Sequence, residues 1–401
     1  MELAGIVGKP NVGKSTLFSA LTLVNVEIAS YPFTTRKPNV GVTYLRVDCV
    51  CRELGLRDNP RNSLCVDGVR LVPIQVIDCP GIVPGAHMGR GLGLQFLDDI
   101  RQASCLIVVV DASGSTADDG TLSEPGSHDP RRDVELVENE VTMWMAGLLW
   151  SEWPRISRAA EARQASLRSE IARKLSGLGV GLEDVDEALN RVRLDERRPT
   201  SWRREDVEGL AGELRRLNKP MIVAANKIDI EGSDRYVRSL RDAGYDVIPC
   251  SAEAERVLRL AAEKGLIRYV PGDPDFTAYE EKLSQAQKNA LEKIRERVLR
   301  PWKGTGVQQI INKAYMEKLG YVPVFPVEDP HRYSDRSGNI LPDVYLVKKG
   351  STPRQLAEKI HTELAEGYLY AVDARTGMRL SEDYRLKSHD IISIVSAKRR
   401  A

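Results

Sequence analysis

Gly8-Lys9-Pro10-Asn11-Val12-Gly13-Lys14-Ser15 follows directly on the apolar run Leu3 to Val7 and leads into Thr16-Leu17-Phe18-Ser19-Ala20-Leu21. The order reads as buried strand, glycine-rich loop and helix, the setting in which this spacing of glycines, lysine and serine holds phosphate. Glycines let the backbone curl so that successive N–H groups point inward at phosphate oxygens. The helix N-terminus adds the positive end of its dipole. On this basis Gly8 to Thr16 form the phosphate cradle, Lys14 reaches the β- and γ-phosphates and Ser15 ligates Mg²⁺.

A phosphate loop does not name the base, so the downstream order decides. After the apolar run Val72 to Ile77 stands Asp78-Cys79-Pro80-Gly81, where Asp78 can hold Mg²⁺ through water and the Gly81 N–H can sense the γ-phosphate. Between these elements lies Tyr31-Pro32-Phe33-Thr34-Thr35, and the Thr35 hydroxyl can close on the metal while the γ-phosphate is present. The buried run Met221 to Ala225 ends in Asn226-Lys227-Ile228-Asp229. Asp229 can accept two hydrogen bonds from guanine, a pair of donors that adenine lacks on that edge. Val247 to Cys250 then leads into Ser251-Ala252-Glu253, whose backbone N–H groups can meet the guanine oxygen.

These motifs in this order resemble GTPases of the translation-factor class. The wording Gly-Lys-Pro-Asn-Val-Gly-Lys-Ser, Tyr-Pro-Phe-Thr-Thr and Pro38-Asn39-Val40-Gly41 is similar to the Obg-related GTPases, in their YchF-like branch. That branch generally carries glutamate at the base-reading position and favours ATP, whereas this chain has Asp229. GTP is therefore the expected nucleotide, with a YchF-type ATPase and a nucleotide-stabilised RNA- or ribosome-binding scaffold of negligible turnover as the alternatives.

Where Ras-like GTPases place a water-orienting glutamine after the glycine, this chain has Ile82, whose alkyl group makes no hydrogen bond. Slow intrinsic hydrolysis is the consequence. Candidates to align water are His87 in the glycine-rich stretch Gly85 to Gly93, Arg90 in the same stretch, or a group supplied by a partner. Asn11 is a further candidate, since resembling GTPases with asparagine there bind K⁺ beside the phosphates. The expected catalytic set is thus Lys14, Thr35, Gly81, Asn11 and His87, with Ser15, Thr35 and Asp78 on Mg²⁺.

Composition bounds the rest. With 401 residues and 42% hydrophobic content the chain can bury cores for two or three domains. A net charge of +1 gives no global field for nucleic acid or membrane, so any RNA contact must come from local patches. No apolar stretch approaches the roughly 20 residues needed to span a bilayer, and the opening strand does not read as a signal peptide. No membrane partner and a cytoplasmic location are the expectations. The six cysteines lack a paired C-x-x-C spacing and lie mostly in apolar runs, so they read as reduced, buried thiols in preference to zinc ligands.

The expected architecture is α/β: a P-loop GTPase doubly wound sheet with a helical insertion and a C-terminal ubiquitin-like β-grasp (TGS) domain. The GTP-binding domain is assigned to 1-132 and 218-275, the helical insertion to 133-217, a helical connection packing on that domain to 276-335 and the TGS-like domain to 336-401. Ser113 to Pro130, rich in Ser, Gly, Asp and Pro, reads as an exposed loop, and Thr277 to Arg300 as an amphipathic helix. In the insertion Arg191, Arg193, Arg197, Arg198, Arg203 and Arg204 form a cluster that could grip RNA phosphates, but acids nearly balance bases across the insertion, which favours a solvated helix face. Leu346-Val347-Lys348-Lys349-Gly350-Ser351-Thr352-Pro353 is similar to the opening of a TGS domain. That resemblance implies a ribosome or RNA partner reached through the TGS-like domain, to which the arginine cluster would add the helical insertion; GTP and GDP are the nucleotide partners.

Overall fold

The computed structural model describes residues 2–22, 39–89 and 93–397. Along it the strands are β1 (Leu3–Val7), β2 (Val40–Asp48), β3 (Leu64–Val66), β4 (Val69–Asp78), β5 (Ala103–Asp111), β6 (Met221–Asn226) and β7 (Val247–Pro249). A short hairpin, β8 (Ile267–Arg268) and β9 (Thr277–Ala278), precedes β10 (Tyr321–Val327), β11 (Tyr345–Lys348), β12 (Tyr368–Asp373) and β13 (Asp390–Ser396). The described residues fall into two compact units, one formed by 2–22, 39–41, 75–89 and 93–310, the other by 42–74 and 311–397.

In the first unit the end of β4, then β1, β5, β6 and β7 pair side by side, all parallel. Ile6 and Val7 on β1 and Cys105 to Val110 on β5 are fully buried, as unbroken apolar runs must be when helices cover both faces of a parallel sheet. Register brings Asp78 level with Ile6 and Asp111 level with Asn226, so the polar residues that end β4, β5 and β6 share the carboxyl edge. Ligands of open α/β sheets bind outside that edge.

Five helices lie between β5 and β6: Arg131–Trp150, Trp153–Glu161, Leu167–Leu175, Leu182–Val192 and Arg204–Asn218. Val134, Val137, Val141, Met145 and Leu149 recur at helical spacing and are buried in one core with Val108 and Val110 of β5. The rings of Trp153 and Trp202 stack with centroids 5.2 Å apart inside this core. On the outer faces Arg191 pairs with Glu187 and Glu213, and Arg204 with Glu208. A regular helix starts only at Gln285, where Ser284 and Gln287 form a capping box, because Thr277 and Ala278 are drawn into the β8–β9 hairpin.

In the second unit the sheet order is β11-β10-β13-β12, with β10 and β13 parallel and both outer pairings antiparallel. The helix Pro353–Ile360 crosses it, started by Thr352, whose hydroxyl accepts the Gln355 N–H while the Gln355 side chain accepts the Thr352 N–H. Val324, Val347, Leu356, Ala371, Leu386 and Ile392 form the core between sheet and helix. This is the β-grasp arrangement expected of the C-terminal segment.

The unit boundaries depart from the assigned ones. Residues 42–74, placed in the nucleotide domain by sequence, group with 311–397. Arg70, fully buried, bonds Asp58, Ser63 and the Leu341 carbonyl, and Asn62 exchanges two hydrogen bonds with the backbone of Val344. Similarly β10, inside the stretch 276-335 assigned to a helical connection, is a central strand of the C-terminal sheet. Such long-range pairings carry no local signature.

Candidate nucleotide-binding site

Lys14 begins the helix Lys14–Thr22, whose first turn holds no acidic residue to quench the positive dipole end. Before it the loop takes left-handed or extended turns: φ is 148° at Gly8, 63° at Asn11 and 99° at Gly13. A Cβ on Gly8 would stand 2.4 Å from the Val109 carbonyl oxygen, and one on Gly13 2.2 Å from Asn226 Nδ2. Glycine is required at both places. The Lys14 ammonium donates to the Lys9 carbonyl at 2.7 Å, folded over the loop where phosphate oxygens would take its place. Burial lowers the Lys14 pKa to about 8 against the opposing pull of Asp78.

A cleft of about 440 Å³ opens beside this loop, lined by Pro10, Asn11, Lys14, Ser15, Asp78 and Gly81 among others. Asp78 Oδ1 is buried without a hydrogen-bond partner. Burial raises the Asp78 pKa, with Lys14 pulling the other way. A buried carboxylate oxygen left unpaired at the phosphate end of the cleft fits an outer partner of a hydrated Mg²⁺. Ser15 and Thr16 stand in the first turn of the same helix, where the Ser15 side chain is exposed. Thr35 and Arg90 lie outside the described residues.

The segment Asn226 to Asp229 and the turn after β7 come together through Asn226. Its Nδ2 donates to the Val12 carbonyl at 3.0 Å and its Oδ1 accepts the Ala252 N–H at 3.0 Å. The Ser251 hydroxyl donates to Asp229 Oδ1 at 2.8 Å, and also caps the helix that begins at Ala252 by accepting the Ala254 N–H. From behind, the Ser251 N–H donates to the Thr305 carbonyl, and Thr305, Tyr269 and Arg259 all bond the buried Glu255. Nothing in the local sequence announces that support.

Lys227 adopts φ 65° and turns its ammonium onto Asp111 Oδ2 at 2.8 Å. Burial disfavours the ionised Asp111, yet Lys227 and the hydroxyls of Ser113 and Thr116 outweigh it and hold the carboxyl below its ordinary range. The segment Ser113 to Pro130, expected as an exposed loop, is therefore anchored: Ser113, Ser115, Thr116 and His128 are buried. It also covers the phosphate loop. Lys9 Nζ donates to the Thr116 carbonyl and pairs with Asp133 at 2.7 Å, while Asn11 Nδ2 donates to the Gly120 carbonyl at 2.9 Å. The side chain of Lys9 is thereby spent on structure, leaving its backbone to the cradle.

Ile82 is buried in the core, and its N–H donates to the Gly8 carbonyl at 3.1 Å. The position after Gly81 therefore looks away from the cleft. His87, in the short 3₁₀ turn Ala86–Met88, sits with Nδ1 2.6 Å from Glu140 Oε2. Burial works against the Glu140 charge, but the N–H groups of His87 and Gly85 together with the His87 ring keep its pKa lowered. The His87 ring is engaged with Glu140, a partner more than fifty residues away that motif spacing does not reveal.

Profile comparisons divide the chain in the same order. A family described as 50S ribosome-binding GTPase matches residues 3–140, an Obg-like GTPase YGR210-like, G4 motif-containing domain matches 224–329, and a TGS domain matches 337–396. A GTP-binding protein of Methanocaldococcus jannaschii is 45% identical over 399 residues, covering 99% of this chain and 100% of its own length. The crystal structure of a GTP-binding protein from Pyrococcus horikoshii is 42% identical, spans 99% of this chain and 100% of that one, and superposes with a TM-score of 0.77. The ribosome-binding ATPase YchF of Bacillus subtilis is 37% identical over 174 residues, 43% of this chain and 45% of its own. Among the described residues no helix is long and apolar enough to cross a membrane.

Proposed function

Because the chain belongs to the Obg/YchF-like family of P-loop GTP-binding proteins, we propose that it hydrolyses GTP to GDP and phosphate as a switch acting on ribosomes or RNA. The observation that carries this is the pair of hydrogen bonds made by the Asn226 side chain, donated to the Val12 carbonyl and accepted from the Ala252 N–H, which holds the phosphate loop and the turn after β7 in one frame. Asp229, oriented by the Ser251 hydroxyl, supplies the carboxylate that selects guanine. The nucleotide contacts are Gly8 to Thr16 along the cradle, Gly81 at the γ-phosphate, and Asn226, Lys227, Asp229, Ser251 and Ala252 around the base.

Ser15 and Asp78 would hold Mg²⁺, joined by Thr35 in the GTP state, and a bound ion would supply charge neutralisation at the phosphates. Lys14 exchanges the Lys9 carbonyl for those oxygens. Direct attack by water is slow, since Ile82 makes no polar contact with it. Asn11 still has its side-chain oxygen to offer a K⁺ ion while its amide holds Gly120. The TGS-like domain and the helical insertion are the surfaces proposed to meet ribosome or RNA.

The name of the Bacillus subtilis relative supports a second reading, an ATPase. Competitive titration of GTP against ATP in Mg²⁺ separates the two, and equal affinity for both bases overturns the guanine assignment. Phosphate release is then followed in K⁺ and in Na⁺, with and without ribosomes. Faster release in K⁺, lost in Asn11→Ala, supports the cation role; no release under any of these conditions leaves the nucleotide-stabilised scaffold.

A further inference from the structure

The stretch from Cys49 to Cys65 contains little regular structure: the helix Val50–Leu54, a loop, and the three-residue strand β3. It nevertheless gathers four side chains. The sulfurs of Cys49, Cys51 and Cys65 and a carboxylate oxygen of Asp58 all lie within 4.8 Å of one another. We propose that these four residues form a structural zinc site that fastens this segment within its own unit.

The chemistry of the donors selects the ion. Three thiolates and one carboxylate suit zinc, whereas Mg²⁺ and Ca²⁺ take all-oxygen sets. The separations suit it as well. With Zn–S near 2.3 Å, the edge of a tetrahedron is about 3.8 Å, and Cys51 Sγ stands 3.8 Å from Cys65 Sγ. Cys49 Sγ lies 3.2 Å from Asp58 Oδ2. Four protein donors close the coordination shell, which is the mark of a structural site, not a catalytic one.

A second, independent feature surrounds the cluster. Arg70, fully buried, places Nε 3.4 Å from Cys49 Sγ and its guanidinium 2.8 Å from Asp58 Oδ2. It thus donates to two of the four ligands and offsets part of the negative charge that three thiolates and a carboxylate leave on a divalent ion. The same guanidinium bonds the Leu341 carbonyl and stands 5.4 Å over the Phe325 ring. Through Arg70 the site ties 49–65 to the strands of the C-terminal sheet. A Cys51–Cys65 disulfide would instead need the sulfurs at about 2.05 Å and would leave Cys49 and Asp58 unused.

The full chain, purified reduced, should carry about one zinc per molecule. Cys51→Ser with Cys65→Ser should bring the metal content to less than about a tenth of that and lower the melting temperature. Metal-stripped wild type titrated with Co²⁺ alone should saturate near one equivalent, with the intense visible bands and sulfur-to-metal charge transfer of tetrahedral thiolate coordination, bleached by added Zn²⁺. This titration needs no variant, so it decides the matter even if the double substitution does not fold. A weak octahedral spectrum, a metal-free wild type that ignores Co²⁺, or a Cys51–Cys65 disulfide recovered from the native chain overturns the proposal.

Discussion

Asn226 donates its side-chain amide to the Val12 carbonyl across 3.0 Å, although the two residues are 214 positions apart in the chain. Asn226→Asp keeps the size and the bond from the Ala252 N–H but sets an acceptor against the Val12 carbonyl. A buried hydrogen bond lost with a partner left unsatisfied costs about 1–3 kcal/mol. GTP affinity should fall on the order of ten- to hundredfold in calorimetric titration, and because the bond already exists in the nucleotide-free chain the melting temperature should fall with it.

Base choice rests one residue-turn further on. Asp229→Asn replaces two acceptors by an acceptor and a donor, and so loses at least one charge-assisted bond to guanine. GTP binding should weaken by about tenfold or more while ATP binding stays where it was. Parallel loss of both nucleotides in competition binding would contradict the role given to this carboxylate.

Ile82 tests the side of the chain that faces the cleft. Ile82→Gln would restore the glutamine of Ras-like enzymes in sequence only, because this side chain is 1% exposed within the apolar core. The substitution should destabilise by about 2–4 kcal/mol from lost apolar burial and a buried amide. Scanning calorimetry should register that loss, and phosphate release should not accelerate.

Asp133→Asn strips the charge opposite Lys9, a residue 1% exposed, and leaves a buried ammonium without its anion. Breaking one partner of a buried pair costs about 3–5 kcal/mol. Chemical denaturation should show a loss of that order at constant m-value, and Lys9→Met with Asp133→Leu together should recover part of it.

Lys14 sets a pH dependence. Its pKa in the free chain is lowered to about 8, first by burial, and phosphate oxygens beside it raise that value. Between the free and bound pKa values binding takes up a proton, so affinity is level below pH 8 and falls as pH rises above it, by at most about tenfold per unit. Titration calorimetry in two buffers of different ionisation enthalpy reads the proton directly. Lys14→Arg, always charged, should flatten the profile.

Much of the site was legible because its motifs are local. Strand, turn and helix residues sit side by side in the chain at Gly8 to Thr16, at Asp78 to Gly81 and at Asn226 to Asp229, and backbone chemistry ties each to the end of a strand. The N-cap at Thr352, with Pro353 next and Gln355 three residues on, is a local signal of the same kind. Segment 113–130 was not, since its composition reads as solvent-exposed while its hydroxyls are consumed by Asp111 and its carbonyls by Lys9 and Asn11. The engagement of His87 with Glu140 and the grouping of 42–74 with the C-terminal residues were equally invisible.

By itself the sequence determined the phosphate loop, its order relative to the Asn226 to Asp229 motif, the alternation that builds a parallel sheet and the β-grasp opening at Leu346, because each depends on residues adjacent in the chain. The tertiary structure alone decided that Ile82 faces the core, that Lys9 pairs with Asp133 and that Cys49, Cys51, Asp58 and Cys65 converge. Those outcomes turn on which distant groups compete for one buried position, and the free energy of burial is settled only when every neighbour is in place.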